Sequence, residues 1–209
     1  MYLFTRAGRL APGAFREGAA FVAAITEKVN QDTGLDVHTW AASMSPELGT
    51  VVWANFVESL EELEAAQDKL NVSDQFIELA EKGSKLFAGP MTDRLASVVV
   101  GARDPSAPLP SYVTVARAVA ANGHISDAMA AGVEIAETAT RITGIQTMFL
   151  ADATGDFGGC RWNSGYADIG SMERAEAALM ADESWLKLID RIGPAFQQGA
   201  NQSIYRRLI

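Results

Sequence analysis

Residues 33–58 read TGLDVHTWAASMSPELGTVVWANFVE, and residues 143–168 read TGIQTMFLADATGDFGGCRWNSGYAD. Both stretches spell the same plan: the end of a helix, a strand, a loop and a second strand. Leu35 answers Ile145 at an offset of 110 positions. The same offset carries Phe56 onto Tyr166 and Glu58 onto Asp168. Identities are few, but order and spacing agree, which is the signature of an internal repeat.

Within the first stretch, Gly34 is a helix stop, because glycine accepts the left-handed conformation past a helix end. Asp36 to Met44 then reads as a strand, with His38, Trp40, Ala42 and Met44 on one face. Ser45, Pro46 and Gly49 supply the turn. Thr50 to Val57 is an apolar, β-branched and aromatic strand in which Trp53 and Asn55 share a face. Upstream, Tyr2 to Leu10 alternates as a strand, with Tyr2, Phe4 and Arg6 together. A helix from Pro12 to about Asp32 places Phe15, Ala19, Val22, Thr26 and Val29 on one stripe. Downstream, Ser59 and Glu62 form a capping box for a helix carrying Leu60, Leu63 and Ala66. Ser73 starts a further helical segment, Gly89-Pro90 ends it, and Leu95 to Val100 closes the unit. The order is β-α-β-β-α-β, the ferredoxin-like split motif.

RDPSAPLP, residues 103–110, contains three prolines and reads as an extended connector. Beyond it the plan returns: a strand from Tyr112 to Ala120, a helix capped near Ser126 and stopped at Gly144, and strands at Ile145–Ala151 and Cys160–Asp168. Two helical segments begin near Ser171 and before Trp185, and a last strand runs from Ser203 to Ile209. The expected domains are a first ferredoxin-like unit over 1–103, a Pro-rich linker over 104–110 and a second unit over 111–209.

The chain has 209 residues, 48% of them hydrophobic, enough for one large core or two smaller ones. Its formal net charge of −9 argues against general affinity for nucleic acid or anionic membrane. No apolar run reaches the roughly 18 residues that span a bilayer. The N-terminus lacks the apolar stretch of a signal peptide, so a cytoplasmic protein is expected. The single cysteine, Cys160, excludes an internal disulfide and a Cys-based zinc site. Alanine-rich helices and few lysines suggest a GC-rich bacterial genome.

Two such units in one chain resemble a fused version of the dimeric α/β-barrel superfamily, which includes antibiotic-biosynthesis monooxygenases and NIPSNAP-like proteins. The resemblance covers nearly the whole chain and rests on element order. It implies an α+β fold in which two tandem ferredoxin-like units pack as an α/β barrel with antiparallel sheets. Members of that superfamily include cofactor-independent monooxygenases, haem-degrading enzymes, lactone isomerases and proteins with no known reaction. In haem-degrading members an Asn, a Trp and a His act together. This chain has Asn55, Trp53 and His38, but His38 precedes the Trp and lies on another strand, so those roles are not carried over.

The candidate site residues lie on the first-half sheet. Trp40 and Trp53 are candidate ligand-binding residues, because indole faces give flat ligands a large contact area. Asn55 and Arg6 are candidate polar contacts, and His38 is the candidate catalytic acid or base. The bland readings are core packing for the tryptophans and ion pairs from Arg6 and Arg117 to Glu58 and Asp168. Cys160 reads as a small buried hydrophobe, since no histidine or lysine adjoins it. His124 reads as a surface residue at a helix start. The loop from Asp152 to Gly159 lacks the setting of a calcium loop, and no cofactor or metal is expected. The expected function is binding of a small apolar or aromatic molecule between sheet and helices of the first half. The alternatives are a cofactor-independent monooxygenase or isomerase for an aromatic or polycyclic substrate, and a non-catalytic assembly protein. A homo-oligomer through sheet or helix faces is the other expected partnership.

Overall fold

The computed structural model describes residues 1–102 and 106–208. Arg103, Asp104 and Pro105 of the expected connector, and Ile209 of the expected last strand, lie outside the described residues. The fold is α+β. The first half runs β1 (Tyr2–Arg9), α1 (Phe15–Thr33), β2 (His38–Ala42), β3 (Thr50–Val57), α2 (Leu60–Asn71), α3 (Asp74–Ser84) and β4 (Thr92–Val100). The second runs β5 (Tyr112–Val119), α4 (Ile125–Thr143), β6 (Thr147–Asp152), β7 (Gly159–Tyr166), α5 (Ile169–Ala181), α6 (Glu183–Ile192), a 3-10 turn (Gly193–Ala195) and β8 (Asn201–Arg207). This is the ferredoxin-like order twice, with the second helix split in two each time. The hydrogen-bonded strand order, β1-β3-β2-β8-β5-β7-β6-β4, is that of a closed antiparallel barrel. Two compact units result. One holds Met1–Ala42, Glu47–Leu95 and the chain end from Arg207; the other holds Ser43–Pro46 and Ala96–Arg206.

In the first unit, α1 ends where the sequence requires. Gly34 takes φ 80° and its N–H bonds the Asn30 carbonyl. The Asn30 carboxamide then clamps the next strand, donating to the Val37 carbonyl and accepting from the Val37 N–H. Half of the expected capping box forms at α2: Ser59 accepts from the Glu62 N–H, while the Glu62 carboxylate accepts from the N–H of Glu58, one residue before the cap, instead of from that of Ser59. In β3, Val51, Trp53, Asn55 and Val57 are all buried. They share the face that meets the helices, because the Trp53 indole N–H donates 3.0 Å to Thr26 Oγ1 of α1. Leu10, Phe21, Val22, Ile25, Val37 and Phe87 pack with Trp53 in one core cluster.

The second unit repeats the scheme with a tighter fit. Trp162 donates 2.9 Å to the Gly132 carbonyl of α4 and stacks on Phe149 with ring centroids 5.3 Å apart. Gly132 is what admits Phe149, since a Cβ there would lie 2.1 Å from the ring.

Strand register corrects one sequence expectation. Tyr2 pairs with Val57 and Arg6 with Trp53; Tyr112 pairs with Tyr166 and Ala116 with Trp162. Val57, not Phe56, is therefore the counterpart of Tyr166, and Trp53 is the counterpart of Trp162. The offset is 110 through β2 and β6 but drops to 109 beyond the intervening loop, which is one residue shorter in the second half. The helix caps agree: Ser59 and Asp168 are the equivalent N-caps.

Several element ends also shift. Pro12 sits in the turn before α1, and Phe15, at 72% exposure, and Ala19 face outward instead of joining the buried stripe, which runs through Gly18, Phe21, Val22, Ile25 and Thr26. β2 is shorter than expected, and β4 begins three residues earlier, at Thr92. α5 starts at Ile169 because Asp168 caps it in a reciprocal box with Ser171.

Candidate functional site: a cavity under the first-unit helices

Between the β1–β3 sheet and helices α1, α2 and α3 lies a cavity of about 340 Å³. That is within the usual range of small-molecule sites. Phe4 and Trp53 form its sheet wall, Phe21 and Phe76 its helix wall, and Phe87 and Met91 line it from the connection between α3 and β4. The polar side chains among its lining are Arg6, Asn55, Gln67 and Ser84. Its walls arise directly from strand alternation. Phe4 and Arg6 lie opposite Asn55 and Trp53 in register, so all four project on the helix side.

Asn55 is the chemically telling member. It is only 4% exposed, and its Nδ2 is buried with no hydrogen-bond partner among the described residues. Buried amide donors are nearly always satisfied, and one that is not costs about 1–3 kcal/mol. Arg6 is held differently. Its Nε and Nη2 each donate 2.7 Å to the Asp93 carboxylate, a two-pronged pair on a half-exposed edge. That hydrogen bond raises the Arg6 pKa above its ordinary value, against the opposing effect of burial. The guanidinium also lies over the Phe4 ring, 5.9 Å from its centroid.

Of the residues singled out from sequence, Trp53, Asn55 and Arg6 line the cavity. His38 and Trp40 do not. They alternate with Val37 and Thr39, so they occupy the sheet face turned away from α1. His38 Nε2 lies 3.0 Å from the Asp36 carboxylate, and Trp40 is 9% exposed. The expected Arg6–Glu58 pair is replaced by Arg6–Asp93, because Glu58 lies one residue past the end of β3 while Asp93 comes alongside Arg6 on β4. Arg117 donates from Nη2 to the Tyr205 hydroxyl at 3.3 Å, and Asp168 serves as the α5 cap. His124 is the exposed N-cap residue of α4, with Nδ1 2.9 Å from Asp127.

Sequence reading missed Asp93, Phe87 and Met91. Phe87 had a readable signal, because ELAEKGSKLF at 78–87 answers KLIDRIGPAF at 187–196 at an offset of 109, and in the structure Phe87 bridges Leu10 as Phe196 bridges Ala120.

The second unit holds a buried ion pair, Arg161 Nη2 to Asp152 Oδ1 at 2.5 Å, both side chains about 95% buried or more. Gly159 makes room for it, since a Cβ there would lie 2.8 Å from Asp152 Oδ2. Beside it, burial first and the Asp152 charge second push the Cys160 thiol up to about 11. Cys160 is thus a protonated, buried thiol at neutral pH. Among the described residues, no group of three or more His, Cys, Asp or Glu side chains could hold a metal ion, and no helix is long and apolar enough to cross a membrane.

The sequence matches no protein-family profile and no curated protein. Solved structures do match. A candidate monooxygenase of Fusobacterium nucleatum subsp. nucleatum aligns over 100% of this chain and 92% of its own, at 9% identity and a TM-score of 0.75. A candidate monooxygenase of Lactobacillus acidophilus aligns over 100% and 94%, at 7% identity and a TM-score of 0.65. An anthrone oxidase-like protein aligns over 99% and 90%, at 10% identity and a TM-score of 0.67. The fold of this chain is that of the dimeric α/β-barrel proteins, with both ferredoxin-like halves carried by one polypeptide.

Proposed function

We propose that the first unit binds a small, flat, largely apolar molecule that presents one hydrogen-bond acceptor to Asn55. The unpartnered, buried Asn55 Nδ2 on a cavity walled by Trp53 and phenylalanines carries this reading. Apolar walls supply affinity, and a single aimed donor supplies orientation. Arg6 is already neutralised by Asp93, so the site favours a neutral ligand over an anion. The test is calorimetric titration with acetophenone and 2-acetonaphthone against wild type and Ala80→Phe, which projects a ring into the cavity. Binding to the wild type that survives Ala80→Phe unchanged would refute the location.

A second reading, cofactor-independent oxygenation, is favoured by the likeness to two candidate monooxygenases and an anthrone oxidase-like protein. Such chemistry begins with removal of a proton from the substrate. No histidine or carboxylate lines the cavity among the described residues. Binding is therefore the stronger reading, and oxygen-electrode measurements on a bound ligand distinguish the two.

A further inference from the structure

The second unit contains its own occupant for the equivalent space. Tyr166 projects from β7 on the same face as Trp162, and its ring packs with Met172, Ala175 and Ile145. Its hydroxyl accepts from Thr114 Oγ1 at 3.4 Å and is hydrogen-bonded to the Ser164 side chain. Strand register and helix caps give the first-unit counterpart of each neighbour. Thr114 corresponds to Phe4 and Ser164 to Asn55. Ile145 corresponds to Leu35, at the shared offset, while Met172 and Ala175 correspond to Leu63 and Ala66, counted from the equivalent caps Ser59 and Asp168. All five counterparts line the first-unit cavity.

Tyr166 itself corresponds to Val57, which is buried but lacks the ring and the hydroxyl. The first unit thus keeps the surroundings of a phenol without the phenol. At the place where Tyr166 finds hydroxyl partners, it keeps one polar group, the Asn55 carboxamide. From this geometry we infer that the cavity takes a single-ring phenol as its head group, with the phenolic oxygen accepting from Asn55 Nδ2 and any further substituent directed toward Arg6 and Met91. The inference rests on the binding function proposed above and specifies its ligand class. Val57 then determines whether the socket is open.

The experiment compares p-cresol, toluene and acetophenone by isothermal titration calorimetry on the whole chain. Wild type should bind p-cresol at least tenfold more tightly than toluene, the gap expected when a buried donor is left unpaired by the analogue. Val57→Tyr, which supplies the phenol from the chain itself, should lose p-cresol binding and melt at a higher temperature. Tyr166→Val should gain a second p-cresol site, raising the stoichiometry from one to two. Equal affinities for p-cresol and toluene, with acetophenone still bound, would overturn the phenol class and leave the cavity function standing. Absence of binding for all three probes would overturn both. Unchanged p-cresol binding in a folded Val57→Tyr would overturn the socket equivalence. If Val57→Tyr does not fold, a stoichiometry that stays at one in Tyr166→Val overturns it instead.

Discussion

Replacing Asn55 by leucine should make this protein more stable and less able to bind. The side chain is 4% exposed, and its Nδ2 has no partner among the described residues. An unsatisfied buried amide donor costs about 1–3 kcal/mol, and an apolar group of similar shape removes that cost. Leucine also places its methyl groups against Phe4 and Trp53 on the cavity side. A gain of about 2 kcal/mol is expected, which for a chain of this size raises the melting temperature by about 4–8 °C. Binding should move the other way. A neutral hydrogen bond contributes about 1 kcal/mol, and the leucine methyls also shrink the cavity, so affinity for acetophenone should fall by about tenfold. Differential scanning calorimetry gives the first quantity and titration calorimetry the second. A variant that melts lower than wild type would refute the reasoning, because the carboxamide would then be holding structure. Unchanged acetophenone affinity would equally refute it.

Other outcomes follow from the same structure. Asp152→Asn should destabilise by about 3–5 kcal/mol, measured by urea unfolding, because it removes the buried carboxylate charge that offsets the buried Arg161 guanidinium. Gly132→Ala should cost about 1–3 kcal/mol through the clash with Phe149, whereas the exposed Gly123→Ala change concerns only a turn at φ 81° and should cost less. Cys160 should react with iodoacetamide at pH 8 only as fast as the chain opens. Because its native pKa is raised to about 11, stability should fall as pH climbs from about 9 through 11, where the unfolded thiol ionises and the native one does not. Cys160→Ala should flatten that alkaline limb. Asp93→Asn should cost at most about 1 kcal/mol, since the Arg6 pair is half exposed, and should let benzoate bind where it did not before.

Period-2 alternation placed Trp53 and Asn55 on one face, and the helix stop at Gly34 and the cap at Ser59 framed the unit around them. Those features are local, and local chemistry is written in short windows. The Arg6–Asp93 pair is not, because 87 positions separate its members and nothing near Arg6 marks the partner. Glu58 was the nearer carboxylate in the expected sheet, yet it lies just past the end of β3. His38 shows a different limit. Its strand and parity were readable, but parity alone does not say which sheet face meets helices; that required the Trp53 to Thr26 bond. The Tyr166 equivalence was hidden by a loop one residue shorter, which moved the true alignment of β3 and β7 by a single position and exchanged buried for outward residues. Such a slip is invisible to an offset drawn through the whole repeat.

Carrying both halves on one polypeptide has an evolutionary consequence. In an assembly of two identical chains, any substitution that plugs one socket plugs its twin as well. Here Val57 and Tyr166 are separate positions, so one half can hold a tyrosine hydrogen-bonded to Thr114 where the other holds a valine. The tethered phenol marks what an untethered guest must resemble. A change at one codon, Val57 to tyrosine, would fill the proposed socket from the chain itself without touching the other half.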